Sequence, residues 1–460
     1  MARSMAALAV LFIVCLFVCA ISAVASSCVP NEPHVDCNFH GLFSPKWSGL
    51  SARASKLSTE WRAAVSATPA YSEGRLAGKG VVITATKLDL VNVPVLLDIL
   101  QSEGCKLPVE IWYSGEVPTS HIEVLAASYS NKLVIKNVAN YAREGDLQAI
   151  TTSQGEHTFQ VKPLAIINSD FEEVIFLDAD NVPMSNPTTL FDSAEYQKTG
   201  ALFWPDFWQT ATENPIWPIL GVAPQGWEQE SGQMVISKKK AWAALNLAFF
   251  LAKDSSFQQM VNGDKEAFRL AFLATGTSFH MVETPVASTG SLKDGSFCGH
   301  TMVQHDVRGA PLFLHHTSLK HGAALTWEVL KAVPYLYSSF TVVPLAQMVI
   351  NGTVFGCLDL VGPDVVVTHT PFPSFEQAYK DRLTMTDPYL KEASQMEFES
   401  ILNEQSRRML VNNATSTPTP TPNPTATTTA TPTPKPTATP TTTPTATPTP
   451  KPTSTPTATP

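Results

Sequence analysis

The chain has 460 residues, a formal net charge of -9, 44% hydrophobic residues and 15% charged residues. That length leaves room for two or three domains, and the apolar share is enough for a large core. Lysine and arginine are dispersed, which excludes the basic patch expected of a nucleic-acid-binding surface; a nucleotide, needing only a few local donors and a metal, stays open.

Residues 1–25 read as a targeting segment. Arg3 supplies a short basic start, Met5–Ala25 is uncharged and mostly apolar, and Ala23-Val24-Ala25 fits a signal-peptidase site. The run is also long enough to span a bilayer, for which about 20 apolar residues suffice. A cleaved signal peptide and an uncleaved signal anchor both fit, and either sends the rest of the chain into the secretory lumen. A membrane is a partner only if the segment is uncleaved. The cysteines agree with that compartment. Cys28 and Cys37 are close enough to clip a local loop, whereas Cys105, Cys298 and Cys357 cannot all pair, and spacing leaves their connectivity open. Sequons at Asn351 and Asn413 would accept glycans there.

Residues 26–77 form an entry or stem segment, with "SGLSARASKLSTEWRAAVSA" expected to be helical. A catalytic body is expected over 78–411. "GKGVVITAT" (Gly78–Thr86) predicts a strand, Asn92–Cys105 a helix ending at Gly104, and "PVEIWYSG" (Pro108–Gly115) a second strand. "HIEVLAASY" predicts another helix, and "KLVIKNV" (Lys132–Val138) a third strand. "FQVKPLAIINSDF" (Phe159–Phe171) predicts a helix leading into the apolar run Val174–Leu177. Strands alternating with helices imply an α/β fold with a parallel, doubly wound sheet. Such sheets bind ligands beyond the carboxyl ends of their strands. From residue 412 the chain turns to Thr, Pro, Ala and Ser, with "TPTPKPT" at Thr431–Thr437 returning at Thr447–Thr453. The segment 412–460 is therefore expected to be a disordered, extended tail, since it has too few apolar residues for a core.

"VIFLDADNVP" ends an apolar strand in Asp178 and Asp180. A D-x-D tripeptide arises by chance in a chain of this size, so its context decides. Asn181 and Pro183 would serve an ordinary turn. An EF-hand would need Gly at Pro183 and Glu at Thr189, and has neither. A haloacid-dehalogenase-like phosphohydrolase places D-x-D-x-[TV] after a strand, with the first Asp as nucleophile, but about three β/α units precede Asp178 here. In the third reading the pair binds a divalent metal that bridges to a sugar nucleotide. Alternate residues of an extended strand end share one side, and carboxylate oxygens suit Mn²⁺ or Mg²⁺, which neutralise a diphosphate leaving group.

Further acidic and basic candidates follow. Asp206 lies in "GALFWPDFWQ", where Trp204, Phe207 and Trp208 would stack on sugar faces or simply pack in the core. An acid in such a run needs a partner. In "QESGQMVIS", Glu230, Ser231 and Gln233 around the small Gly232 would let a sugar ring approach. Asp264 is a helix N-cap candidate. Among the histidines of "FCGHTMVQHD" and "PLFLHHTSLKHG", one following the apolar "LFL" strand suits a third metal ligand, with Lys320 behind it for a diphosphate.

Taken together, "FEEVIFLDADNVPMSNP", "TGALFWPDFW", "NPIWPILG", "ESGQMVISK", "GDKEAFRLAF", "CGHTMVQHD" and "GCKLPVEIWY" resemble the fungal-type α-1,2-mannosyltransferases that branch mannan side chains, over roughly residues 78–330. Several blocks in order are far more specific than one motif. The resemblance implies a GT-A fold: a Rossmann-type, mostly parallel sheet flanked by helices. It also implies GDP-mannose as donor, Mn²⁺ (or Mg²⁺), an oligomannose-type glycan acceptor, retention of configuration and a type II Golgi membrane setting. Asp178 and Asp180 match the metal- and nucleotide-binding pair. Asp206, Glu230 and Asp264 match acidic catalytic-site positions facing donor-sugar or acceptor hydroxyls. His315, with His305 as competitor, matches the third metal ligand, and Lys320 the diphosphate-binding cation. A secreted glycan-binding or cell-wall protein built on an inactive GT-A fold is the reading from another class.

Overall fold

The computed structural model describes residues 51–86, 92–114, 129–152, 155–261, 263–293, 295–316, 326–335, 340–350 and 353–385. The expectations for the N-terminal segment, Cys28 and Cys37, the "HIEVLAASY" helix, Lys320 and the tail lie outside them. Among the described residues no helix is long and apolar enough to cross a membrane.

In chain order, helix α1 (Ser51–Ala67) precedes β1 (Lys79–Ala85), α2 (Val93–Ser102), β2 (Val109–Tyr113) and β3 (Leu133–Asn137). A small hairpin, β4 (Ile150–Thr152) and β5 (Gly155–His157), leads to α3 (Val161–Asn168), β6 (Glu173–Asp178) and β7 (Asn181–Pro183). Then come α4 (Ala194–Thr199), β8 (Ala201–Pro205), α5 (Ile216–Leu220), β9 (Gln229–Ser237), α6 (Lys238–Lys253), α7 (Phe257–Met260) and α8 (Lys265–Thr275). The remaining strands are β10 (His280–Met281), β11 (Ala287–Lys293), β12 (Ser296–His305), β13 (Pro311–His315), β14 (Val329–Ala332), β15 (Thr341–Ile350), β16 (Thr353–Val361) and β17 (Val366–His369), followed by α9 (Pro373–Met385).

The first sheet has the order β10-β8-β9-β6-β1-β2-β3. β3, β2, β1 and β6 are mutually parallel, and β9 runs antiparallel between β6 and β8. This is the mostly parallel, helix-flanked sheet that the GT-A resemblance implies. The apolar residues of its inner strands pack on both faces because both are covered. The period of two divides them: Val82, Phe176 and Met234 pack on one side with Trp61 and Phe268. Val81, Ile175 and Val235 pack on the other with Leu96 and Phe313. α1 is no detached stem, because Leu57 and Trp61 are buried and the Trp61 indole N–H donates to the Ile219 carbonyl at 2.9 Å.

The second sheet has the order β15-β16-β12-β11-β14-β17. β13 pairs with β12 and also reaches β7, setting His315 opposite Asn181. Cys298 and Cys357 form a disulfide that ties β12 to β16, while Cys105 is a buried free thiol. That resolves the pairing the spacing left open.

Candidate active site

Asp178 ends β6 at the centre of the first sheet, opposite Thr84 of β1. The chain turns through Ala179 and Asp180 and re-enters pairing at once as β7. Because β7 pairs with β13, the last residue of that distant strand is delivered beside the turn. His315 Nε2 lies 3.3 Å from Asp180 Oδ1 and 4.0 Å from Asp178 Oδ2. One ligand atom from each of the three can be chosen so that all lie within 4.8 Å of one another. Ligands about 2.1 Å from an octahedral ion sit about 3 Å apart, so the three atoms would have to draw together around a divalent cation. Two carboxylates and an imidazole also suit Mn²⁺ in their chemistry.

His315 is held from behind. Its Nδ1 is 3.0 Å from Glu230 Oε1, leaving Nε2 toward the aspartates. Glu230 Oε1 also accepts from the Gly232 N–H at 2.6 Å, and Oε2 accepts from Gln233 Nε2 at 2.6 Å. Asn181 Nδ2 in turn donates to Gln233. Both Glu230 oxygens thus serve the protein, in the carboxylate–histidine arrangement that orients metal-binding imidazoles. Gly232 has a matching role. A Cβ there would lie 2.5 Å from His315 Nδ1, so what approaches this glycine closely is the His315 ring. The expectation that a sugar ring uses that space gives way to the occupant observed.

Lys162, in the first turn of α3, shows in the sequence only as part of a helix. It is buried at the site and lies 3.1 Å from both Asp178 Oδ2 and Asp264 Oδ2. It also donates to the carbonyl and hydroxyl of Ser231 at 3.1 Å. A lone lysine in an apolar helix was the available signal, since a buried cation needs partners. Asp264 does precede α8, but its side chain makes no capping bond; its carboxylate turns to Lys162 instead. The cap expectation is corrected: the stronger attraction of a buried ammonium wins over the helix amides.

Asp206 belongs to an adjoining charged cluster. Its Oδ2 is 2.7 Å from Lys265 Nζ, and Lys265 is equally 2.7 Å from Glu228 Oε2. Thr210 Oγ1 lies 3.1 Å from Glu228 and 3.2 Å from Glu266, which is paired with Arg269. Lys265 follows Asp264 directly, so the two clusters share the start of α8. The neighbouring rings are core. Trp204 is fully buried against Phe313 and donates to the His305 carbonyl at 2.7 Å. Phe207 and Trp208 pack with Trp227 and Phe340. His305 itself stays away from the ligand group, and burial lowers its pKa to about 4.

The electrostatics describe a site short of positive charge. Burial raises the Asp178 carboxyl to about 6; Asp180 and Asp264 add to this, against Lys162 and His315. Burial alone would lower His315, but Glu230 and Asp180 reverse that and hold it up at about 10. Burial would likewise raise Glu230, yet His315, the Gly232 N–H and Lys162 keep it below its ordinary value. Lys162 is held above the ordinary lysine value by Asp178 and Asp264 despite its burial. A cation bound beside these carboxylates would supply the missing charge.

A family model described as "Mannosyltransferase putative" matches residues 78–226 and 220–306. The Saccharomyces cerevisiae alpha-1,2-mannosyltransferase MNN2 is 25% identical over 288 residues, covering 52% of this chain and 47% of its own. The Candida albicans alpha-1,2-mannosyltransferase MNN2 is 34% identical over 125 residues, 27% of this chain and 20% of its own. The chain therefore spans about half or less of the length of the curated relatives it matches. Among solved structures, the S. cerevisiae mannosyltransferase Ktr4p overlays with 8% identity and a TM-score of 0.30, covering 50% of this chain and 78% of its own. At that score the overlay adds nothing to the strand order above. Asp178, Asp180, Asp206, Glu230 and Asp264 fall inside the family match, and His315 falls beyond it. The chain belongs to this mannosyltransferase family, related to the fungal α-1,2-mannosyltransferases.

Proposed function

We propose that the protein is a retaining mannosyltransferase, moving mannose from GDP-mannose to a mannose-containing glycan, with an α-1,2 linkage. The observation that carries this reading is the Asp178–Asp180–His315 group at the carboxyl end of a central strand. Those three residues would hold Mn²⁺ or Mg²⁺, which when bound neutralises the diphosphate leaving group. Glu230 orients His315 and keeps Nε2 turned toward the aspartates. Lys162 fixes Asp178 and Asp264 at a common distance and offsets their charge. Asp264, held on one side by Lys162, is the carboxylate that would receive a donor or acceptor hydroxyl, and Asp206, held by Lys265 at Oδ2 and by the Phe207 N–H at Oδ1, would support it from the adjoining cluster. In a front-face transfer the leaving phosphate oxygen takes the acceptor proton, so no protein base is needed. Lys320, outside the described residues, is the cation assigned to the diphosphate in this reading.

The Cys298–Cys357 disulfide supports an oxidising compartment, in line with a Golgi or secreted setting. The test is transfer from several sugar nucleotides to mannosides, with Mn²⁺ present or chelated. GDP-mannose with Mn²⁺ is expected to support transfer. Asp178→Ala and Asp180→Ala should each lose at least about 100-fold, the scale of an electrostatic catalytic group. Undiminished transfer by both folded variants refutes the assignment. Donor binding without transfer to any acceptor would instead favour an inactive glycan-binding protein, and an aspartyl-phosphate trapped at Asp178 a phosphohydrolase.

A further inference from the structure

The metal group is braced by a helix past the last residue of the family match. α9 is pinned on one side to α2, where Arg382 pairs with Asp98 and donates to Ser102 Oγ at 2.9 Å. On the other side Glu376 Oε2 accepts from the Trp327 backbone N–H at 3.1 Å. Between these anchors Tyr379 is buried, with its hydroxyl 3.2 Å from His316 Nδ1. Its ring meets the imidazole edge-on, with centroids 4.9 Å apart at 89°. Trp327 packs against the same imidazole at 5.3 Å and against Tyr379 at 5.5 Å.

His316 adjoins the ligand candidate His315, and its backbone N–H donates to the Asp180 carbonyl at 3.0 Å. One peptide therefore links His315 to a residue whose amide holds Asp180 and whose ring is wedged by α9. Among the described residues His316 Nε2 has no hydrogen-bond partner. The Tyr379 hydroxyl is thus the polar contact that sets the orientation of this buried ring. Without it the imidazole keeps its packing against Trp327 and the residue 379 ring but loses the polar contact that fixes its tilt, and the peptide that spaces Asp180 from His315 relaxes with it.

We propose that Tyr379 is a positioning residue for the metal centre, fixing the spacing of Asp180 and His315 through His316. This rests on the metal reading given above. Supporting partners of this kind, one step removed from the ligands, commonly change metal affinity by about 10–100-fold. The experiment compares full-length wild type, Tyr379→Phe, Glu376→Gln and Asp178→Ala. It uses Mn²⁺ titration by electron paramagnetic resonance without donor, and thermal unfolding in chelator. Tyr379→Phe keeps the ring and should melt close to wild type in chelator, while its Mn²⁺ dissociation constant rises about tenfold, at the low end of that range. Glu376→Gln, which removes the charge from the α9 anchor on the Trp327 backbone N–H while leaving Tyr379 itself intact, should shift it the same way by less.

An unchanged Mn²⁺ dissociation constant in Tyr379→Phe overturns the proposal, whether or not its melting point falls. Should Tyr379→Phe fail to fold, an unchanged constant in Glu376→Gln overturns it. Wild type that binds no Mn²⁺ refutes the metal reading and the proposal together. Binding by wild type that is lost in Asp178→Ala yet unchanged in Tyr379→Phe refutes the proposal alone.

Discussion

Replacing Gly232 by alanine adds a single methyl group to the middle of β9, where the metal reading makes a large demand on it. Gly232 is not among the glycines with positive φ, so alanine costs nothing in backbone strain. The added Cβ would lie 2.5 Å from His315 Nδ1, 2.6 Å from Cε1 and 2.9 Å from Glu230 Oε1. Ordinary contacts need about 3.5 Å, so the ring must retreat by about 1 Å. The ring is buried between Glu230 and Asp180, and retreat breaks its 3.0 Å bond to Glu230. A hydrogen bond to a charged group contributes about 1.5–3 kcal/mol, and loss of a supporting carboxylate alone weakens metal binding about 10–100-fold. Displacing the ligand atom as well places Gly232→Ala at or beyond the upper end. Calorimetric Mn²⁺ titration should show an affinity loss of about 100-fold or more, with the far-ultraviolet circular dichroism of wild type. A folded Gly232→Ala protein with wild-type Mn²⁺ affinity would refute His315 as a ligand.

Three other outcomes are expected. Lys162→Met leaves Asp178 and Asp264 without their shared cation; removing one partner of a buried pair costs about 3–5 kcal/mol, and the lower end applies because these carboxylates are 22% and 24% exposed. Denaturant unfolding checks that loss, which should shrink as the pH falls toward 5 and Asp178 takes a proton. The metal-free protein should lose stability in mild acid, because burial lowers His300 and His305 to about 4 and His316 to about 3. In that window the unfolded chain binds the extra protons. The stability these histidines contribute is therefore whole above about pH 6.5 and lost toward pH 4, at about 1.4 kcal/mol per proton per pH unit. Asp178, whose folded pKa is raised to about 6, opposes this with one proton, so denaturant midpoints between pH 7 and 4.5 should fall with the net slope. Finally, Cys298→Ser with Cys357→Ser opens a loop of 59 residues and should cost about 4 kcal/mol by the chain-entropy relation, read from unfolding curves.

Much of the sheet was legible because its strands obey a local rule. Val81–Ala85, Val109–Trp112 and Val174–Leu177 are short runs rich in β-branched and aromatic residues, and each became a strand of the first sheet, with Glu110 in the second of them paired to Lys136. Asp178 and Asp180 stood out because the apolar run stops at them. Lys162 and Gly232 did not, since each has an ordinary local explanation: a charge on a helix and a small residue in a strand.

The sequence by itself determined the alternation of strands and helices, and the carboxylate pair at a strand end. Periodicity and the refusal of charge to enter a core act within a few residues, so both can be read along the chain. The tertiary structure alone decided the partners. Pairing of β7 with β13 brings His315 to the aspartates, and α3 packing brings Lys162 between Asp178 and Asp264. α9 reaches back to brace His316, and Cys357 rather than Cys105 closes on Cys298. Each of these contacts joins residues far apart in the chain. They are selected by burial and charge pairing in space, which no local pattern encodes.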